Sequence, residues 1–576
     1  MSNRIDPSTE ARLKRIVFVP CKDKQTLHDW IQVFLDIDIP DSKIDPESTS
    51  TPMEMIWETY SKCLANDDPE FSRVLYYASR DSFKTLGAAI IEVLGVVHLN
   101  RSVAHMAAIE SQAKKAQSYV KKMLSRPFLR DFKIGDNARE IRLVRYCNIH
   151  TAENLTETQY GKLSESDKAQ YQCVDNYIKI IICTTAGANS EHVPLMCVDE
   201  VDVVANPRAY EEAKMIPAAM GGMMPITVLA STRKYSFGLV QKEIDDAEET
   251  GLKIRHWNLI DCTRACPPSR HLPTEPKIPI FYSDNTLRAI SKSDYDLLSD
   301  SEQEKFEEKE GYSGCLKNCR LFAVCQGRLA TEQKGKSPLL KPVEHTQNMF
   351  RTVSVPTAQA QLLCRKPSTE GLIYPYLEPD LHKKTASEIL REVTGNENIP
   401  DDISKSQLFE MLKKVEGRFA AGMDFGFSHN FAVVTGFIHG DKAYVIDVIA
   451  MPELDPAQQI QVVQERIGSL NPTIFADPEN PQMIKHMSKS GFVMKKWIKG
   501  PGSVLGGIDI VRMKLRPAIS EPKLFFLKGD DGVDFLFKRL SQYHWKLEAD
   551  GRLSKIPDDK DDDECFTADT EVLTKN

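Results

Sequence analysis

The stretch 73–91, RVLYYASRDSFKTLGAAII, changes its apolar pattern partway along. Val74-Leu75-Tyr76-Tyr77-Ala78 is an apolar run of strand length, and Ser79-Arg80-Asp81-Ser82-Phe83 is a short polar turn. Lys84-Thr85 then open a helix-like apolar run from Leu86. Strand, tight loop, Lys-Thr and helix is the layout of a phosphate-binding loop. Backbone N–H groups at the helix start point at the phosphates, the ammonium neutralises β/γ oxygens, and the threonine hydroxyl holds Mg²⁺. The glycines of G-x-x-x-x-G-K-[ST] are missing; Ala78 or Ser79 and Phe83 stand in their places. Taken alone, the stretch reads first as an ordinary strand–helix junction.

A second stretch changes that reading. In 194–204, PLMCVDEVDVV, an apolar run ends in Asp199-Glu200. A P-loop ATPase carries, on the strand beside its loop, an Asp that holds Mg²⁺ and then a Glu that polarises the attacking water. Downstream, the apolar run 226–230 is capped by Ser231-Thr232, small hydroxyls placed to sense the γ-phosphate. The expected site for Mg²⁺-ATP therefore takes Ser79, Arg80, Asp81, Ser82, Phe83, Lys84, Thr85, Asp199, Ser231 and Thr232, with Glu200 as base. Arg80 is the candidate charge-stabilising arginine in cis.

A chain of 576 residues with 41% hydrophobic and 27% charged residues has room for two or more cores of ordinary globular composition. Net charge of −8 excludes a global positive field, so any nucleic-acid contact must be local. The polar start, MSNRIDPSTEARLKR, carries no signal peptide, and the longest apolar run, near 88–97, is too short to span a bilayer. Thirteen cysteines in that setting point to a reducing compartment, where clustered thiols bind metal.

Residues 1–50 read as a helical lead-in, continued by PMEMIWETYSKCL (52–64), with Trp30 and Trp57 as core anchors. The spacing in VAHMAAIESQAKKAQSYVKKMLSR (103–126) predicts one helix with a basic face, and 139–150 and 177–186 read as strands. Strands interleaved with helices imply a parallel sheet covered on both faces. From 255 to 330 the character changes. Cys262 and Cys266 are separated by three residues, as are Cys315 and Cys319, and Cys325 follows. Cys266, Cys315, Cys319 and Cys325, with Cys262 in reserve and His271 nearby, suit a tetrahedral Zn²⁺ site. Unrelated buried thiols and an iron–sulfur cluster are the alternatives. The polar segment 292–312 reads as a helical hairpin, and 386–415 as a linker between domains.

In 418–438, RFAAGMDFGFSHNFAVVTGFI, a strand ends in Asp424, and in PTIFADPENPQ (472–482) another ends in Asp477. Strand-end carboxylates in such a setting hold two Mg²⁺ or Mn²⁺ ions across a scissile phosphate. A third acid is required, and SKIPDDKDDDE (554–564) offers Asp562 with Asp563. Lys495, Lys496, Trp497, Lys499, Arg512, Lys514 and Arg516 lie around the glycine-rich stretch GPGSVLGG (500–507), a candidate contact to a phosphate backbone.

Together SRDSFKT, CVDE, the ST pair at 231–232, MDFG, ADPENP, and YHW followed by IPDDKDDDE resemble the large subunit of tailed-bacteriophage terminases over about residues 50–565. The resemblance implies an α/β protein: a P-loop (RecA-like, ASCE) ATPase domain at 51–385 carrying the Cys-rich insertion, then a ribonuclease-H-like nuclease domain at 416–564. It implies ATP-driven translocation of double-stranded DNA into a procapsid, and cutting by a two-metal nuclease. Portal protein, small terminase subunit and a homo-oligomeric ring are the implied partners, and host cytoplasm the implied location. The family's third acidic motif should continue beyond Glu564. Here 565–576, CFTADTEVLTKN, resembles the start of an intein, with Cys565 as nucleophile and a complementary intein fragment as partner. A superfamily-2-like helicase is the alternative, resting on DEVD (199–202) and AST (230–232). It requires a second ATPase-like domain where this chain carries MDFG and ADPENP. A zinc-stabilised scaffold that has lost its ATPase is opposed by the retained Lys84, Thr85, Asp199 and Glu200.

Overall fold

Apolar runs with little polar alternation make strands buried on both faces, and 74–78, 195–198 and 226–230 are buried throughout. The computed structural model describes residues 6–558 except 138, 185–190, 205–206, 268–275, 284–285, 320, 332–335, 368, 370, 426–430, 479, 497–502, 517–520 and 548–552. The expected Asp562, Asp563, His271, Trp497 and Lys499, and the tail from Cys565, lie outside the described residues. The chain forms two units, Met1–Ser368 and Thr369–Asn576. Among the described residues no helix is long and apolar enough to cross a membrane.

The first unit is built on β1 (Arg73–Ala78), β2 (Val103–Ala107), β3 (Lys133–Asp136), β4 (Glu140–Asn148), β5 (Asn154–Leu155), β6 (Tyr171–Ile182), β7 (Leu195–Asp199), β8 (Ile226–Ser231) and β9 (Lys253–Trp257). Their order is β3-β4-β6-β2-β7-β8-β1-β9, with β5 on β4. From β6 to β9 every pairing is parallel. The run β9-β1-β8-β7-β2 is the RecA-like ASCE arrangement. The acid strand β7 is therefore not the immediate neighbour of β1, as the sequence reading had it; β8 lies between them. Tyr77 registers with Ser231, and Asp199 with Ala230, so the three functional strand ends share one edge of the sheet.

Residues 103–126 are not one helix. Residues 103–107 form β2, sandwiched between β6 and β7, and the helix runs only Glu110–Leu124. Pairing on both edges of a fully buried segment overrides its helical spacing. Trp30 is buried against Phe34 and His98, as an anchor should be, and Trp57 packs beside Tyr60.

The Cys-rich insertion carries an antiparallel sheet of β10 (Lys277–Ser283), β11 (Arg288–Ser291) and β12 (Glu307–Tyr312), in the order β11-β10-β12. The helical hairpin expected at 292–312 is replaced by two single turns, Lys292–Tyr295 and Asp300–Gln303, followed by β12. The ladder to β10, helped by Tyr282 Oη donating to Glu307 at 2.6 Å, satisfies backbone groups that the charged sequence could not pack as a helix.

The second unit contains β13 (Lys383–Lys384), β14 (Arg418–Phe425), β15 (Phe431–His439), β16 (Lys442–Met451), β17 (Thr473–Ala476), β18 (Val493–Lys496) and β19 (Leu524–Leu527), ordered β13-β19-β16-β15-β14-β17-β18. An antiparallel meander, β14 to β16, with β17 and β18 added parallel to β14, is the ribonuclease-H-like sheet. Residues 386–415 are not a linker. The helices Ala386–Thr394 and Lys405–Leu412 bury Ile389, Leu390, Val393, Leu408 and Leu412 in the same core as β14–β16. Both segments read as helical in sequence, and it is the burial of their apolar faces that assigns them to this unit.

Candidate functional site

The loop after β1 meets the helix Lys84–Val97 without its usual glycines, and the backbone records the difference. Asp81 and Phe83 take φ of +60° and +71°, in the left-handed region that favours glycine. Each such residue costs about 1–3 kcal/mol, so surrounding contacts must hold it. Ser82 Oγ donates to the Ser79 carbonyl at 2.6 Å, and buried Trp257 Nε1 donates to the Ser82 carbonyl at 2.9 Å. Asp81 is gripped by Lys341 at 2.6 Å and His345 at 3.1 Å, and Lys341 also lies over the Phe83 ring at 4.8 Å.

Lys84 is buried and donates to the Ser79 carbonyl at 2.8 Å and to Thr232 Oγ1 at 2.9 Å. Burial pulls its ammonium below the ordinary lysine range, against the pull of Glu200 and Asp199. Thr85 Oγ1 donates to Asp199 Oδ2 at 2.8 Å, while Asp199 Oδ1 is buried with no protein partner. Glu200 stands 4.0 Å from Lys84 and 3.2 Å from Lys234. Burial alone would push Glu200 up, but Lys84 and Lys234, with Arg80 beyond them, hold it below the ordinary value of 4.5. These groups open onto a cleft of about 650 Å³ that Arg80, Lys115, Tyr119, Leu339 and Lys341 also line. The loop, Thr85, Asp199, Glu200 and Thr232 thus converge. Ser231 does not share that contact: its hydroxyl accepts from the Asp202 N–H at 3.4 Å. A buried ammonium, a Thr–Asp pair and an unmatched carboxylate oxygen fit a Mg²⁺-bound triphosphate.

Asp199 is buried, and burial pushes its carboxyl up despite His105, Thr85 and Lys84. Asp199→Asn keeps the acceptor for Thr85 and removes the charge. In the absence of Mg²⁺ we expect the variant to melt at higher temperature, by on the order of 1 kcal/mol of stability. Phosphate release should fall roughly 10²-fold or more. A lower melting temperature without Mg²⁺ would make Asp199 a structural ion-pair partner instead.

In the second unit Met423 registers with Ala476, and the Asp477 N–H donates to the Met423 carbonyl at 3.2 Å. Asp424 and Asp477 follow that pair on neighbouring parallel strands, whose spacing is about 4.8 Å. Asp477 is buried and Asp424 half-buried. Two adjacent strand-end carboxylates are hard oxygen donors suited to Mg²⁺ or Mn²⁺.

No family model matches the chain, and no curated protein matches it. Among solved structures it is similar to the large terminase of bacteriophage HK97, at 12% identity over 96% of this chain and 99% of that one, with a TM-score of 0.44. The large terminase of the thermophilic bacteriophage D6E in complex with ATP-gamma-S matches at 12% identity over 93% and 99%, with a TM-score of 0.31. The large terminase nuclease of the thermophilic phage G20c with bound cobalt matches at 9% identity over 36% and 98%, with a TM-score of 0.26.

The basic rim expected around 495–516 is only partly presented. Arg512 donates to the Ile373 carbonyl at 2.6 Å and lies over Trp545, and Arg516 lies over Tyr376. Burial pulls Lys514 below the ordinary lysine range, whereas Lys495 and Lys496 are exposed. The described part of the glycine-rich stretch is not loop; it enters the helix Ser503–Leu515. Cys262 is buried with its Sγ 3.9 Å from the Ser82 carbonyl, so it supports the phosphate-binding loop. Among the described residues no group of three or more His, Cys, Asp or Glu is gathered to hold a metal ion as it stands. Cys266, Cys315, Cys319 and Cys325 nevertheless line one small cavity.

Sequence reasoning missed Lys234, Lys341, His345 and Trp257. Lys234 lies two residues past Thr232, and that proximity was a usable signal. Lys341 and His345 reach Asp81 from 260 and 264 residues away, and no local pattern announces them.

Proposed function

We propose that this chain is an ATP-driven motor that moves double-stranded viral DNA into a procapsid and cuts the concatemer with a metal-dependent nuclease. One observation carries the reading: a chain that gathers Lys84, Thr85, Asp199, Glu200 and Thr232 at one sheet edge also sets Asp424 beside Asp477 on a ribonuclease-H-like sheet. A helicase of two ATPase-like domains would need a second parallel sheet of the first kind, and the second unit is built on an antiparallel meander.

In this reading Lys84 and the loop N–H groups would orient the triphosphate, Thr85 and Asp199 would hold Mg²⁺, and Glu200 would take the proton of the attacking water. Thr232 reports the γ-phosphate through Lys84, and Arg80 is placed to meet developing charge. Asp424 and Asp477, with Asp562 or Asp563 as third acid, would hold the nuclease ions. Divalent metal bound there supplies Lewis-acid stabilisation of the phosphoryl oxygens. Double-stranded DNA, a portal protein and a small terminase subunit are the proposed partners, with several copies of the chain acting as a ring.

The test is whether one purified chain hydrolyses ATP, faster with double-stranded DNA, and nicks plasmid in Mn²⁺ or Mg²⁺. DNA binding by a chain of net charge −8 should be non-specific and weaken steeply with salt. Strand separation without cleavage would instead favour the helicase.

A further inference from the structure

The four cysteines come from three separate places in the fold. Cys266 follows the turn after β9, Cys315 lies on the short helix Ser313–Asn318 and Cys319 at its end, and Cys325 closes the helix Phe322–Cys325. All four line a single cavity together with Gly314, Phe322, Gly327 and Ala330. The backbone closes the ring. Gln326 and Gly327, at φ +49° and +83°, reverse the chain directly after Cys325, and the Cys266 N–H donates to the Leu329 carbonyl at 3.0 Å. The first cysteine is thereby tied to the turn that follows the last.

The cavity measures about 10 Å³. That is room for about one water-sized sphere, suited to a single ion. The surroundings supply a reason for a staple. Among the described residues the sheet β10–β12 shares a small core of Ile280, Tyr282, Phe322 and Ala323, with Ile278, Ala289, Cys315 and Leu316 at its margin, and also buries Phe281 and Ile290. A second small core holds Ile44, Ile260, Leu321, Val324, Cys325, Leu329, Val343 and Leu363, with Cys266 and Cys319 at its margin. Elements with so little apolar burial commonly need a metal or cross-link.

We propose that Cys266, Cys315, Cys319 and Cys325 close on one Zn²⁺ as four thiolates, tying the Cys-rich insertion to the ATPase unit. Each thiol would give up its proton to solvent as the ion binds, leaving four thiolates as its ligands. The same ion would brace the 262–266 strip, whose Cys262 carbonyl accepts from the Lys341 N–H at 2.8 Å.

The full chain, purified in reductant without chelator, should contain about one Zn²⁺ by elemental mass spectrometry. Cys315→Ser with Cys319→Ser should bring that near zero, whereas Cys173→Ser, an exposed cysteine outside the ring, should leave it unchanged. Co²⁺ exchanged into the wild-type chain should give the intense visible absorption of a tetrahedral thiolate site. As the double variant could fail to fold, alkylation of the wild-type chain mapped by mass spectrometry gives a second readout. The four ring cysteines should be protected together and become reactive together when a chelator is added. Zinc-free reduced protein that takes up no Co²⁺ would overturn the proposal. So would a full equivalent retained in the double variant, disulfides among the four, or alkylation indifferent to chelator.

Discussion

Glu200→Gln is expected to slow ATP turnover roughly 10²-fold or more while leaving nucleotide binding in place, because the substitution keeps the shape and removes the base. The geometry makes this separation sharp. Glu200 touches the site through Lys84 and Lys234, and neither contact is needed to seat the phosphates. Lys84→Ala should act differently, weakening binding as well as turnover, since it deletes the buried ammonium, takes the donor from Thr232 Oγ1 and leaves the Ser79 carbonyl with Ser82 Oγ alone. Phosphate release measured beside equilibrium binding of a fluorescent nucleotide distinguishes the two. The pH dependence follows from the same contacts. A carboxyl held below 4.5 stays ionised as pH falls from neutrality, so its acid limb lies at or below that value. Lys234→Ala removes part of the field and should move the limb upward. Near-normal turnover in Glu200→Gln would place the base elsewhere.

The convergence of the proposed nucleotide site was legible because its residues lie in contiguous stretches: a loop with Lys-Thr, an apolar run ending in Asp-Glu, another ending in Ser-Thr. What could not be read was which partners cross the fold. Sequence places Asp81 in the loop as one of the site residues, and only the fold reveals Lys341 and His345 bound to it. The misread elements share a cause. VAHMA carries helical spacing but becomes β2 because two strands pair with it, and EEKEGY looks too charged for a strand until β10 offers a ladder. Residues 386–415 looked like a linker because a polar loop interrupts two short amphipathic helices whose apolar faces find a common core. Local pattern sets what a segment can do, and long-range pairing decides between the options.

Asp424→Ala or Asp477→Ala should each remove DNA cleavage, by several kcal/mol of lost charge stabilisation or on the order of 10³-fold in rate, with ATP hydrolysis unchanged. The pairing of the effects tests the assignment more stringently than either alone. If Asp424 and Asp477 share one pair of ions, the double variant should be no worse than the single ones, because either substitution already dismantles the site. Asp447 supplies the control that separates chemistry from folding. It too is a strand aspartate in this sheet, but it is fully buried and pinned by Lys405 and Arg466, with Lys405 also bound to Asp530. Removing it empties a fully buried position and takes one carboxylate from exposed Arg466 and from half-buried Lys405, which keeps Asp530, so Asp447→Ala should lower the melting temperature of the second unit, and any loss of cutting should follow the fraction unfolded. Asp424→Ala should leave that melting temperature within a few degrees, since a half-buried acid at a strand end carries little of the core. Cleavage that survives both Asp424→Ala and Asp477→Ala, in protein that melts like the parent, would remove the nuclease from this sheet edge. Cleavage lost in Asp447→Ala without any change in melting would move the catalytic acids inward along β16.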